Sequence, residues 1–152
     1  MAMQPKPSKI AVDLSAYPDL VVVYLGFRVS TLRGFVAMLG IGKGLGMIRR
    51  DRPDGLLADE PILYGLRHVG MRQYWRDLES LEAFTRSNPH KTWWAQFAKD
   101  PKGSGFWHEA YRKSGGMEAI YINMPKPIGL ASFAAARRAE GAFLSSRDRL
   151  AA

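Results

Sequence analysis

The sequence has no cysteine. That removes disulfides, thiolate metal sites and cysteine nucleophiles together, and it is compatible with the reducing cytoplasm. Histidine is scarce: His68, His90 and His108 are too far apart to form the close pair of a helical zinc motif, so no metal site is expected. No apolar stretch approaches the roughly 18 residues a membrane helix needs, and membrane insertion is not expected. The segment Met1 to Lys9 has Pro5, Pro7 and two lysines with no apolar run behind them; it does not read as a secretory signal and is expected to fray. A Gly-x-Ser-x-Gly nucleophile motif is missing too.

What is present suits one folded domain. The chain has 152 residues, 47% of them hydrophobic, enough for a real core. Its formal charge of +8 raises the question of nucleic acid, but the basic residues are scattered, and the densest group, Arg49-Arg50-Asp51-Arg52, carries its own acid. Scattered Lys and Arg make a solvated surface, so nucleic acid is not an expected partner.

Leu20 to Val29 (LVVVYLGFRV) reads as a strand, apolar on both alternating faces. A strand of that kind needs cover on both sides. Ser30 or Thr31 caps a helix in which Leu32, Phe35, Val36 and Leu39 recur at helical spacing. Gly40, Gly42, Gly44 and Gly46 then weaken it by roughly 1 kcal/mol each relative to alanine, predicting a pliable or broken helix. Leu56 to Tyr64 reads as a second strand interrupted near Asp59-Glu60-Pro61, the proline pointing to an edge or a bulge. His68 to Trp75 is a third. Asp77 or Ser80 caps the next helix, which Asn88-Pro89 restarts. Phe106 to Lys113 and Met117 to Met124 form a hairpin across Ser114-Gly115-Gly116.

The order strand, helix, strand, strand, helix, strand is the split βαβ, ferredoxin-like α+β plan, with an extra C-terminal strand. We divide the chain into a flexible segment 1–18, the ferredoxin-like domain 19–127, and an arm 128–152 with short helical pieces. Helices cover one sheet face; the other needs a partner, commonly a second copy, so a homodimer is expected.

Few constellations carry chemistry. The glycine run fails the phosphate-loop pattern because Lys43 precedes Gly44 rather than Ser or Thr, and it lacks the strand–turn–helix setting of a dinucleotide fingerprint. Trp107-His108-Glu109 is more informative. Alternation places His108 with Phe106, Ala110 and Arg112, and Trp107 with Glu109 and Tyr111. A histidine among apolar neighbours is either a satisfied core side chain or a proton shuttle near neutral pH. His68 and His90 read as structural or surface groups, and Trp93-Trp94 as core. Glu109 and Glu118 flank the hairpin turn and are expected to face solvent.

The succession Gln73-Tyr74-Trp75-Arg76, Leu81-Glu82-Ala83-Phe84, Trp107-His108-Glu109-Ala110-Tyr111 and Glu118-Ala119-Ile120-Tyr121-Ile122-Asn123-Met124-Pro125 resembles a monooxygenase-like family of unknown function. That family has bacterial and fungal members, one of them in fumagillin biosynthesis, and is related to the antibiotic biosynthesis monooxygenases. The resemblance covers roughly Leu20 to Ala131. It implies a dimeric α+β barrel with a ligand cavity between helices and sheet. It also implies cofactor-free oxygenation of an electron-rich, hydrophobic small molecule, in secondary metabolism. His108 matches the histidine of the family's Trp-His-Glu motif and Asn123 the asparagine of its Asn-Met-Pro motif. His108 is then the expected base, with Tyr74, Trp75, Trp107, Tyr111 and Asn123 as ligand-binding candidates. The Gly40 to Gly46 run departs from the bulkier residues expected there. Haem proteins share the superfamily; in the haem-degrading branch the axial histidine lies late in the second helix, where this chain has Trp94. Haem therefore stands as the alternative, with His90 or His108 as ligand, and a non-catalytic small-ligand-binding domain as the other alternative.

Overall fold

The structure, a computed structural model, describes residues 11–128, 131 and 133–151. The expected fraying of Met1 to Lys9 lies outside these, as do the side chains of residues 41 and 43–45 in the first helix. Five strands form one antiparallel sheet: β1 (Val21–Val29), β2 (Leu56–Gly65), β3 (His68–Trp75), β4 (Ser104–Arg112) and β5 (Met117–Ile122), in the order β2-β3-β1-β4-β5. Between them run α1 (Leu32–Asp51), α2 (Leu78–Arg86) and α3 (His90–Lys99), and α4 (Ser146–Ala151) follows β5. This is the α+β ferredoxin-like plan with β5 added beside β4. Among the described residues no helix is long and apolar enough to cross a membrane.

The doubly apolar β1 takes the centre of the sheet. Val21, Val23, Phe27 and Val29 turn to the helices and are buried. The core on that face joins Val21, Val23, Trp75 and Ala110 of the sheet to Ile48 of α1 and Leu78 of α2. Phe84, Trp93 and Leu150 pack around it, so all four helices cover the same face. The other face carries Val22, Tyr24, Gly26 and Arg28, and helices leave it uncovered.

Two local expectations change. The glycine run does not break α1, which is continuous over 20 residues. Its ends are fixed: Thr31 Oγ1 accepts the Gly34 N–H at 3.1 Å, and Arg52, in the left-handed region at φ 42°, donates its N–H to the Ile48 carbonyl at 2.9 Å. Capping and the buried Ile48 hold a helix that propensity alone would fray. Its apolar stripe points outward, however: Leu32 is 81% exposed and Val36 64%. Likewise β2 runs through Pro61 without interruption. It is an edge strand, where a proline costs no ladder bond on its free side, and its irregularities fall instead at Leu56/Ala58 and Leu63/Gly65.

The remaining boundaries follow local chemistry. Asp77, not Ser80, caps α2, its Oδ1 accepting the Ser80 N–H at 2.7 Å. β5 stops at Ile122, because Asn123 turns into the left-handed region at φ 53°. Beyond it the arm contributes a turn of 3₁₀ helix at Gly141–Phe143, and α4 then docks on β5.

Candidate functional site

The β4–β5 hairpin carries the candidate site on its helix-covered face. Ser114-Gly115-Gly116 closes the hairpin with both glycines at positive φ (102° and 91°). In the resulting register His108 lies opposite Ile120 and Ala110 opposite Glu118. Phe106, His108 and Ala110 therefore share a face with Glu118 and Ile120. Across that face the Glu118 carboxylate hydrogen-bonds Nε2 of His108 through a short contact. The Glu118 side chain is completely shielded from solvent, whereas the His108 side chain keeps 23% of its surface. The second carboxylate oxygen accepts from Arg149 Nε at 2.7 Å, and Ser146 Oγ donates to the first at 3.2 Å. Burial alone pushes the Glu118 carboxyl up, but the hydrogen bonds from His108 and Arg149, with the electrostatics around them, outweigh it and hold the group below its usual range.

Chemically this is an oriented imidazole. A carboxylate only accepts, so a neutral His108 presents Nε2–H to Glu118 and keeps its lone pair on Nδ1. No bond from a described residue reaches that Nδ1. A chain of rings runs from it. Phe106 stands 6.4 Å from His108, Trp94 5.6 Å and Phe97 6.1 Å from Phe106, and Phe27 5.8 Å from Phe97. On the other side His90 lies 5.2 Å from Phe84, which lies 5.2 Å from Trp75. The His90 Nδ1 donates to the Thr85 carbonyl at 3.1 Å, leaving its lone pair on Nε2. Burial holds His90 below its ordinary value; the Thr85 bond opposes this and the neighbouring His108 reinforces it.

The other sequence candidates are distributed over both faces. Trp75 shares the His108 face but is wholly buried, its Nε1 donating to Gln73 Oε1 at 3.2 Å. Tyr74, Trp107 and Tyr111 lie on the opposite face and do not meet His108. There Trp107 Nε1 donates to His68 Nε2 at 2.9 Å, with Tyr64 stacked on His68 at 4.7 Å. Burial, with some help from Arg28, keeps His68 below 6.5. Tyr111 donates to Glu109 at 2.5 Å and Tyr121 reaches the other oxygen of the same carboxylate. Asn123 sits past the end of β5, its Nδ2 donating to the Ser104 carbonyl at 2.9 Å.

Glu109 and Glu118 correct one expectation. Neither faces solvent: they are 5% and 3% exposed, on opposite faces of the sheet. Glu118 and Arg149 are the site residues that sequence reasoning missed. A signal existed for the first, since Glu118 alternates with Ile120 and Ile122 as the one acid on an apolar strand face. None existed for Arg149, which lies 31 residues further on in the arm.

Two surface clefts lie nearby, one of about 420 Å³ along Asn88, Thr92 and Gln96, the other of about 240 Å³ between Pro53, Ser80 and Phe84. Neither is lined by His108 or His90. Among the described residues no group of three His, Asp or Glu side chains could hold a metal ion.

Solved structures share this fold. Aldoxime dehydratase is similar over 68% of this chain at 19% identity and a TM-score of 0.50, though the chain spans only 31% of that protein's length. Protein SO0527 from Shewanella oneidensis is similar over 68% of this chain and 94% of its own, at 14% identity and a TM-score of 0.52. A conserved protein from Bacteroides thetaiotaomicron is similar over 62% and 98%, at 11% identity and a TM-score of 0.50. No curated protein matches the chain. Residues 20–130 match a family model. That segment takes in all five strands and the first three helices, His108 and Glu118 included, and by it the chain belongs to the monooxygenase af470-like family.

Proposed function

We propose that the chain is an oxygenase for an electron-rich, hydrophobic small molecule, with His108 as its general base and Glu118 as the group that orients it. The observation that carries this reading is the Nε2–carboxylate contact between them, set in a wall of aromatic rings. Glu118 fixes the tautomer and holds the ring, and Nδ1 takes a proton from an activated C–H of the substrate. The resulting carbanion is itself the electron donor to O₂. In a CH₂ to C=O conversion one oxygen atom stays in the product, and the other leaves as water with both hydrogens. No external reductant is consumed.

The test is oxygen uptake with a panel of aromatic ketones carrying an activated CH₂, in the absence of any reductant. We expect one O₂ per product and isotopic oxygen in the new carbonyl. His108→Ala should keep the fold and lose roughly 10²- to 10⁴-fold in rate. His108→Gln, which can hydrogen-bond but not take a proton near neutral pH, should be equally slow. Full turnover in the glutamine variant would defeat the base assignment.

A second reading is haem binding, and one observation favours His90 for it over His108. An axial ligand needs a lone pair on one ring nitrogen and an anchored N–H on the other, and His90 has both, through Thr85. His108 has the same pair reversed: Glu118 engages its outer Nε2, and the nitrogen left free is Nδ1, crowded by the residue's own Cβ. Bound there, haem would supply redox chemistry at iron. The absorption spectrum of the chain mixed with haem tests this. A histidine-ligated spectrum lost in His90→Ala supports it, and a spectrum of free haem ends it.

We also infer that the uncovered sheet face and the outward stripe of α1 are buried in a homodimer. Supporting this, Tyr24 and Tyr74 lie half-buried on that face, and Phe35, Val36 and Leu39 are exposed on the helix.

A further inference from the structure

We propose that Arg149, carried by the C-terminal helix α4, is a positioning residue of this site. Its guanidinium balances the buried Glu118 carboxylate, so that His108 meets that carboxylate as a neutral imidazole able to accept a proton. The proposal rests on the reading of His108 as the base. It adds that a segment beyond the family-matched residues 20–130 completes the machinery.

A carboxylate with no exposed surface needs a compensating cation, because an unpaired buried ion costs several kcal/mol. Two candidates touch Glu118: the His108 ring on one oxygen and Arg149 on the other. If His108 were the compensating cation it would already hold the proton and could not act as a base. Arg149 is always charged, so it can take that task and leave the imidazole neutral. Of the other titratable groups on this face, His90 of α3 is held below its ordinary value by burial, and Arg112 of β4 makes no ion pair with Glu118 among the described residues.

Arg149 is built into its place. All three guanidinium nitrogens are engaged. Nε donates to Glu118 at 2.7 Å, Nη1 to the carbonyls of Phe143 and Leu144 at 2.9 and 2.8 Å, and Nη2 to Ser146 Oγ at 3.2 Å. A planar fork satisfies that set and an ammonium cannot. Its side chain is only 10% exposed. The helix that carries it is tied down separately, since Arg147 donates to both oxygens of Glu82 in α2 at 3.0 and 2.9 Å, and Leu150 packs on the core. The arm thus leaves β5, reaches α2, and sets one cation against one buried acid.

The test reads the His108 ring directly by ¹⁵N NMR of the full chain at about pH 7.5. We expect the neutral Nε2–H tautomer in the parent protein. An imidazolium at His108 there would overturn the proposal without any variant. Arg149→Gln keeps a donor but removes the charge, and should raise the imidazolium population about tenfold, the scale of one neighbouring charge. Arg149→Lys, which restores charge without the fork, should return it towards the parent. Arg147→Gln loosens α4 but leaves Glu118 its cation, and should not change the protonation. A neutral His108 in folded Arg149→Gln would sink the idea. The base reading fails separately, through full turnover in His108→Gln, which leaves the charge arrangement untouched.

Discussion

His108 and Glu118 are not opposite each other in the hairpin: Glu118 pairs with Ala110, and its carboxylate reaches diagonally to His108. Diagonal neighbours on one face of a sheet lie within reach of long side chains. Ala110 and Ile120 are the other two corners of that square, and Ala110, 2% exposed, is the small one.

A larger side chain at this position should therefore damage the site without touching either partner. Ala110→Leu is expected to cost about 1–3 kcal/mol through overpacking and to displace Glu118 from His108. Comparison of urea midpoints with the His108 ring spectrum checks both effects. Ordinary stability and an intact Nε2–H signal would show that the alanine is incidental.

Glu118→Gln should be costlier to the fold than a surface substitution. It leaves the Arg149 guanidinium, 10% exposed, without its counter-charge, and breaking a buried pair typically costs about 3–5 kcal/mol. Oxygen uptake should fall by roughly 10²-fold or more, because the imidazole loses its orienting acceptor. A variant as stable and as active as the parent would contradict the role given to Glu118.

Stability should decline on mild acidification. His68 and His90 both lie below 6.5 in the fold. As pH falls through 6.5 the unfolded chain takes up protons that the folded chain resists, so stability drops until the folded values are passed. Glu118 works in the same direction further down: its depressed carboxyl stabilises the fold above 4.5, and that contribution goes as pH falls through the folded value. His68→Gln keeps an acceptor for Trp107 Nε1 but does not titrate. Denaturation midpoints measured from pH 7.5 to 5.5 should fall less steeply for it than for the parent.

The glycines separate into two kinds. A Cβ at Gly26 would stand 2.3 Å from Trp107 Nε1 and 2.9 Å from His68 Nε2, so Gly26→Ala should disrupt that pair and lower the melting temperature. At Gly42 a Cβ would meet nothing within 4 Å, so Gly42→Ala should stabilise α1 by up to about 1 kcal/mol. A melting temperature that falls in Gly42→Ala would mean that something in solution packs against that stretch of helix.

Light scattering across dilution should return twice the 17.0 kDa chain mass. Burial of apolar surface at about 25 cal/mol per Å² is the driving force. A monomer at micromolar concentration would refute the inference that a second copy covers the open sheet face and the α1 stripe.

The sequence by itself determined the order of elements, the two-sided apolar character of Leu20 to Val29 and the side chains that share a strand face with His108. These depend on periodicity and on local chemistry: β-branched alternation, Asp77 as a cap, Gly115-Gly116 as a turn. It marked the right strand pair but not the right partner. That Glu118 is buried depends on α4 folding back over β5, and no local pattern encodes where an arm 31 residues away will dock. The continuity of α1 was likewise decided by its caps and by Ile48 in the core, against the propensity of its glycines. The split of the aromatic candidates followed from register. Because side chains alternate with period two, Trp107 and Tyr111 had to face away from His108, and only the tertiary structure showed that α2, α3 and α4 all chose the histidine's side.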